Sequence, residues 1–361
     1  VKPKFLQLLE NRKESGSYRS LSLLNDFIDF YSNDYLGLSR KSKVASQKDD
    51  RLGSSGSRLI SGNSIEAENC ELFLSEFFHS EAALVFNSGY DANIGLFSSI
   101  PQKGDTVIYD ALIHASIRDG IRLCHAKSYS FAHNDLFDLE KKLKISEGSV
   151  FVAVESLYSM DGDICPMEEV IAICTKYNAY LIVDEAHAVG VLGEKGKGLT
   201  FNKNVFARIV TFGKGYGFHG AAVLGSKDLK NYLINFARSF IYTTALPVHD
   251  YITIQNQIEN SQEGHLRNDL NENITYFRDQ LNYKGISDAH SPIQIIETPG
   301  VEKALQLAKR LQENNFAVKA ILSPTVPKGQ ERIRICLHAF NTKDEIEKLA
   351  EILLPSLWRI R

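Results

Sequence analysis

Two stretches of this 361-residue sequence carry residue types whose spacing suits chemistry, and a third suits the binding of an anion. The first is Asp184-Glu185-Ala186-His187, which follows the apolar run Tyr180-Leu-Ile-Val183. A carboxylate leaving a buried strand is costly unless it meets a cation or a hydrogen-bond donor. Taken alone, Asp184 fits a helix cap or a satisfied structural carboxylate as well as a functional group. The letters D-E-A-H also serve Mg²⁺ and ATP in helicases, but that use needs a G-x-x-x-x-G-K-[ST] loop. Lys197 and Lys214 both sit between glycines, and neither is followed by Ser or Thr, so the helicase reading fails.

The second stretch is Arg208-Ile-Val-Thr-Phe-Gly-Lys-Gly-Tyr-Gly217. A strand over Ile209-Val210 delivers Lys214 into a glycine-rich turn, where a bulky neighbour would block the approach of a ligand. An exposed loop lysine is the commonplace alternative, but the apolar Ala221-Ala-Val-Leu224 that follows places Lys214 between buried segments. A partly desolvated lysine has a lowered pKa and forms Schiff bases with carbonyls. Together with a strand-end aspartate, it is what pyridoxal phosphate (PLP) requires: an amine for the aldehyde and a carboxylate that keeps the ring nitrogen protonated. The third stretch, Asn87-Ser-Gly-Tyr-Asp-Ala-Asn93, follows a strand and opens a helix. Free N–H groups at a helix start, with a glycine allowing close approach, suit a phosphate, although an ordinary strand-to-helix turn reads the same way.

The elements that must position these residues alternate. Ala83–Phe86, Thr106–Tyr109, Val150–Val154 and Tyr180–Val183 read as buried strands, with helical spacing or helix starts over 89–99, 113–123, 135–144 and 166–177. Asn134 or Asp135 can cap the third helix, and Pro166 suits the first turn of the fourth. Such alternation implies a mainly parallel sheet covered on both faces, with function at the carboxyl ends of its strands. Near residue 245 the texture changes to one long polar helix over about 249–283. It is followed by a strand at 292–296, a helix whose face carries Val301, Ala304, Leu305, Ala308 and Leu311, strands at 317–322 and 332–337, and a helix at 343–354. The division expected is an N-terminal segment (1–45), a large PLP-binding domain (46–250) and a smaller α+β domain (251–361).

Composition narrows the partners. With 41 Lys+Arg against 44 Asp+Glu the net charge is −3, which argues against nucleic acid. Five cysteines form no C-x-x-C pair, and their odd number excludes a fully paired disulfide framework. No apolar stretch reaches the roughly 18 residues of a membrane span, and VKPKF does not read as a signal peptide, so a cytoplasmic location is expected. No metal site is expected.

Over nearly its whole length the sequence resembles the α-oxoamine synthases, PLP enzymes of the aspartate-aminotransferase fold. The resemblance rests on Ser32-Asn-Asp-Tyr-Leu-Gly-Leu38, Gly53-Ser-Ser-Gly-Ser57 with Ser61-Gly62, Ile113-His-Ala-Ser116 and Ala132-His-Asn-Asp135. It continues through Ser159-Met-Asp-Gly-Asp163, Asp184–His187, Thr211–Lys214, Ile241-Tyr-Thr-Thr-Ala-Leu-Pro247 and Ser323-Pro-Thr-Val-Pro327. It implies an α/β PLP-dependent transferase fold: a large domain with a mainly parallel central sheet, and a smaller α+β C-terminal domain. It also implies a decarboxylating condensation of a small amino acid with an acyl thioester, with alanine and a pimeloyl chain, as in biotin synthesis, the favoured pair. Glycine or serine with another acyl group is the alternative within the family. A non-catalytic PLP-fold sensor would carry a DNA-binding segment, for which the 31 residues before Ser32 leave no room.

By the same resemblance, Lys214 is the Schiff-base lysine and general base, and Asp184 the partner of the ring nitrogen. His187 and Ser159 serve the phenolic oxygen, and His114 stacks over the ring. Ser88, Gly89, Tyr90 and Thr211 hold the phosphate, joined by Thr243 and Thr244 from the second subunit of a homodimer with shared active sites. Asn33 and Arg334 hold the amino-acid substrate, and Thr325 is a further substrate-binding residue. The chain departs from the pattern in a shortened segment 39–52, in Arg58 where a histidine stands in the relatives, and in His219 where they carry a small residue. Arg12 and Arg19 can meet an acyl or coenzyme A group or be solvated surface charge.

Overall fold

In a computed structural model of the chain, residues 3–19, 21, 23–24, 26–40, 52–282 and 290–357 are described; most of the shortened segment, 41–51, lies outside them. Along the chain run α1 (Lys4–Glu14), β1 (Ile28–Asp29), α2 (Ile65–Phe77), β2 (Ala82–Phe86), α3 (Gly89–Ser99), β3 (Thr106–Asp110), α4 (Ala115–Leu123) and β4 (Lys127–Phe131). Next come α5 (Leu136–Lys144), β5 (Val150–Glu155), α6 (Met167–Lys176), β6 (Tyr180–Asp184), β7 (Ala207–Thr211), β8 (Ala221–Gly225), α7 (Lys227–Phe236) and α8 (Arg238–Ile241). The rest are α9 (Val248–Asn260), α10 (Gly264–Leu281), β9 (Ile293–Glu297), α11 (Val301–Glu313), β10 (Phe316–Ala317), β11 (Lys319–Ile321), β12 (Arg332–Cys336) and α12 (Lys343–Leu357).

Two compact units form. One comprises residues 33–159 and 164–267; the other gathers 1–32, 160–163 and 268–361, so the change of unit falls within α10. The larger unit is built on a seven-stranded sheet of order β2-β8-β7-β6-β5-β3-β4. Its pairings are parallel except at β8, which runs antiparallel to both β2 and β7. Alternate residues feed separate cores: Leu84 and Phe86 of β2 join one apolar cluster, Ala83 and Val85 another. A sheet buried on both faces explains why its strands read as continuous apolar runs. The exception is β4, Lys-Ser-Tyr-Ser-Phe, an exposed edge strand that gives no apolar signal.

The smaller unit has a three-stranded antiparallel sheet of order β11-β12-β9 and a short parallel pairing of β1 with β10. The face of α11 differs from the expected one: Ala304, Leu307, Ala308 and Leu311 are buried, whereas Leu305 is 43% exposed. The long helix expected over 249–283 is two helices. Ser261 ends the first, its hydroxyl donating to the Ile258 carbonyl at 2.6 Å, and Gly264 starts the second. Among the described residues, no helix is long and apolar enough to cross a membrane.

Candidate active site

Parallel strands end at one edge of a sheet, so residues following them gather there whatever their separation in sequence. At that edge the larger unit holds a cavity of about 280 Å³ whose lining includes Lys214, Asp184, His114 and His187. Lys214 follows the end of β7 in a tight turn closed by Gly217 N–H donating to the Lys214 carbonyl at 2.9 Å and Phe218 N–H to the Phe212 carbonyl at 2.7 Å. Asp184 ends β6 and is 5% exposed. Its Oδ1 accepts from the Ala186 N–H at 2.9 Å and its Oδ2 from Asn93 Nδ2 at 2.8 Å.

Asn93, on the inner face of α3 one turn beyond Gly89, donates its second amide proton to Ser116 Oγ at 3.0 Å. Ser116 must then use its own proton toward His114 Nδ1, 2.7 Å away, and its backbone N–H reaches the same nitrogen at 3.2 Å. With two donors on Nδ1, the neutral imidazole carries its proton on Nε2. Burial pushes His114 below the ordinary histidine pKa; Asp184 opposes the shift and Lys214 reinforces it. One continuous chain, His114–Ser116–Asn93–Asp184, therefore fixes both the tautomer of the histidine and the position of the carboxylate.

His187 is anchored separately. Its Nδ1 lies 2.7 Å from the buried Tyr35 hydroxyl, which donates to Asn33 Oδ1 at 3.1 Å; Asn33 also lines the cavity. The start of α3 also forms part of the wall, where Ser88 caps the helix by accepting from the Asp91 N–H at 3.1 Å. Gly89 and Tyr90 line the cavity beside it, with Thr211 at the end of β7. A Cβ added at Gly89 would meet Thr211 Cγ2 at 2.7 Å, so only glycine keeps this helix start open.

Other expected residues lie elsewhere. Ser159 is buried beyond β5 and is not among the residues lining the cavity. Thr243 and Thr244 also lie off it: Asn87 Nδ2 donates to Thr243 Oγ1 at 3.1 Å and to the Thr244 carbonyl at 2.9 Å within the same chain. Arg334 and Thr325 belong to the smaller unit. Arg334 is 8% exposed on β12, its Nη1 2.9 Å from Cys336 Sγ, and Thr325 accepts from Arg19 Nη2 at 3.2 Å. Arg12 reaches the Ser17 carbonyl at 3.5 Å. Of the two departures at single residues, His219 lines the cavity, whereas Arg58 is a partly buried cation paired with Glu71 at 2.8 Å.

Sequence reasoning missed Tyr35, Asn93, Ser116 and Glu155. The first three lie inside quoted motifs, but their roles depend on partners far away in sequence. Glu155 ends β5 as Asp184 ends β6, the same strand-end carboxylate signal one residue beyond the apolar run.

Residues 25–353 match the family described as aminotransferase class I and II. The chain is 40% identical to the 8-amino-7-oxononanoate synthase of Emericella nidulans, covering 98% of this chain and 95% of that protein. The solved 8-amino-7-oxononanoate synthase of Francisella tularensis superposes with a TM-score of 0.79 at 31% identity, covering 93% of this chain and 99% of that one. The serine palmitoyltransferase of S. paucimobilis, solved with a bound PLP–myriocin aldimine, superposes with a TM-score of 0.90 at 25% identity, covering 99% and 97%.

Proposed function

Because this chain belongs to the aminotransferase class I and II family, in its α-oxoamine synthase branch, we propose that it joins L-alanine to a pimeloyl thioester, releasing CO₂ and the thiol and forming 8-amino-7-oxononanoate. It is a PLP-dependent acyltransferase. The observation that carries the reading is the meeting of Lys214, Asp184, His114 and His187 with the start of α3 around one cavity.

The residues present fit PLP. The bare helix start at Gly89 offers N–H groups and the positive end of a helix to the phosphate. Asp184, held by two donors, would face the ring nitrogen as an anion, and His187 would hold the phenolic oxygen. Lys214 supplies the amine for the aldehyde. PLP, when bound, supplies an electron sink that lets the Cα proton of an amino acid leave. Lys214 Nζ, once released from the aldehyde, would be the general base for that proton. His114, neutral with its proton on Nε2, lines the site without adding a charge that would compete with Asp184.

Alanine and the pimeloyl group are favoured by the higher identity to the 8-amino-7-oxononanoate synthases. The backbone likeness to serine palmitoyltransferase favours a second reading, serine with a long acyl thioester. The test is a screen of alanine, glycine and serine against pimeloyl and palmitoyl thioesters, following free thiol and product mass. Preference for alanine with pimeloyl supports the first reading, and preference for serine with palmitoyl overturns it. Lys214→Ala should lose turnover and any cofactor that borohydride fixes to protein.

A homodimer completes the reading. Its support is that Thr243 and Thr244 lie off their own chain's cavity, in a unit that leaves Leu59, Ile60, Ile65 and Tyr242 between 52% and 86% exposed. Exposed apolar residues of this size mark association surfaces when they cluster.

A further inference from the structure

Among the described residues that line the cavity, Glu155 is the acid to which the reaction as written gives no task. It ends β5, is 3% exposed, and pairs in register with Asp184 on the neighbouring strand. Two carboxyl groups thus stand side by side at the floor of the site. Their surroundings are unequal: two donors converge on Asp184, while Glu155 Oε1 is buried without a hydrogen-bond partner. Two adjacent buried carboxylates cannot both stay ionised, and the proton settles on the one with less support.

We propose that Glu155 is a hydrogen-bond donor in the cofactor cavity: a neutral carboxyl that offers its proton to the bound cofactor and leaves Asp184 as the only charge of the pair. The groups facing Glu155 agree. Burial raises its pKa well above the ordinary glutamate value, and Asp184 on β6 and Asp110 at the end of β3 act in the same sense. Lys214, beyond β7, and the His114 backbone amide, before α4, oppose the shift without reversing it. An orphaned carboxyl oxygen in a wall that binds a polar ring is costly empty and satisfied when filled. The inference rests on PLP occupying this cavity, which the Lys214-dependent visible absorbance of the wild type checks separately.

Infrared difference spectra of wild-type apoprotein against Glu155→Gln at pH 7 should show a protonated-carboxyl band that the variant lacks. Adding PLP to the wild type should shift that band, since the carboxyl gains an acceptor. In PLP titrations of the apoproteins, Glu155→Gln, which keeps a donor, should bind within about threefold of wild type, whereas Glu155→Leu should bind about tenfold more weakly. If Glu155→Leu does not fold, the two infrared measurements decide alone. An ionised-carboxylate signal at pH 7, a band unmoved by PLP, or wild-type affinity in a folded Glu155→Leu overturns the proposal.

Discussion

Replacing Asn93 with alanine tests the link between the helix that opens the phosphate end and the carboxylate at the ring end. Asn93 is 1% exposed and donates to Asp184 Oδ2 at 2.8 Å and to Ser116 Oγ at 3.0 Å. A hydrogen bond to a charged group contributes about 1.5–3 kcal/mol and a neutral one about 0.5–1.5, so Asn93→Ala should cost the apoprotein about 2–4.5 kcal/mol. Denaturant unfolding of the apoprotein measures this directly. The chemistry should suffer as well. If only about 1.4 kcal/mol of the lost pairing is felt in the transition state, turnover of alanine and pimeloyl thioester falls about tenfold. Asn93→Asp should be worse in both measurements, because it sets a second carboxylate against Asp184. Wild-type turnover together with a stability loss under about 0.5 kcal/mol, the scale of an ordinary surface substitution, would refute the reasoning.

Gly89→Ala should weaken PLP binding about tenfold or more by crowding Thr211 Cγ2, and adding Thr211→Ser, which removes that methyl, should restore most of it; the assay is PLP titration of the apoproteins. Burial lowers His114 in the folded state, so the unfolded chain binds the extra proton first. Stability is therefore full above an unfolded value of about 6.5 and falls as pH drops from there toward the folded value; denaturation of His114→Asn at several pH values should lose that slope. Glu155 acts with the opposite sign: its raised folded pKa makes stability fall as pH rises above about 4.5, and Glu155→Gln should flatten that limb. Reassociated mixtures of Lys214→Ala with Thr243→Ala/Thr244→Ala should regain activity at about a quarter of sites, since random pairing makes half the dimers mixed with one whole site each. If the double threonine variant is dead alone and the mixture stays dead, the phosphate shell is not shared through these residues.

The strands of the large sheet were legible because each is a short apolar run between turn residues, the pattern of a strand buried on both faces. The same rule missed β4, whose solvent-facing edge carries no apolar signal. Helical spacing ran through Ser261 because polar residues continue across it, and the Ser261 hydroxyl turned back onto Ile258, with Gly264 starting the next helix, marks the break. On α11 the periodicity was right, but the face was misplaced by Leu305, which is apolar yet exposed. In the site, Lys214 and Asp184 announced themselves by standing at strand ends. Asn93 and Tyr35 did not, because nothing near an asparagine or a tyrosine in sequence tells that Asp184 or His187 will be its partner. Glu155 carried the same strand-end signal as Asp184 but was overlooked because no histidine follows it as His187 follows Asp184.

The reversed strand β8 sets a schedule for the nascent chain. Its pairing with β2 joins Ala82 to Gly225 and Phe86 to Ala221, while its other edge pairs with β7. β2 has no other ladder partner among the described residues. The helix start at Gly89, synthesised early, therefore hangs from an unpaired strand until the ribosome has released more than 130 further residues. Long-range pairing of this kind is slow to form and exposed to aggregation while it waits. A chain stalled before Ala221 already possesses Asp184, His187 and Lys214, yet the strand that locks the helix start beside them has not been made. Translation thus orders assembly from the ring end of the pocket to its phosphate end.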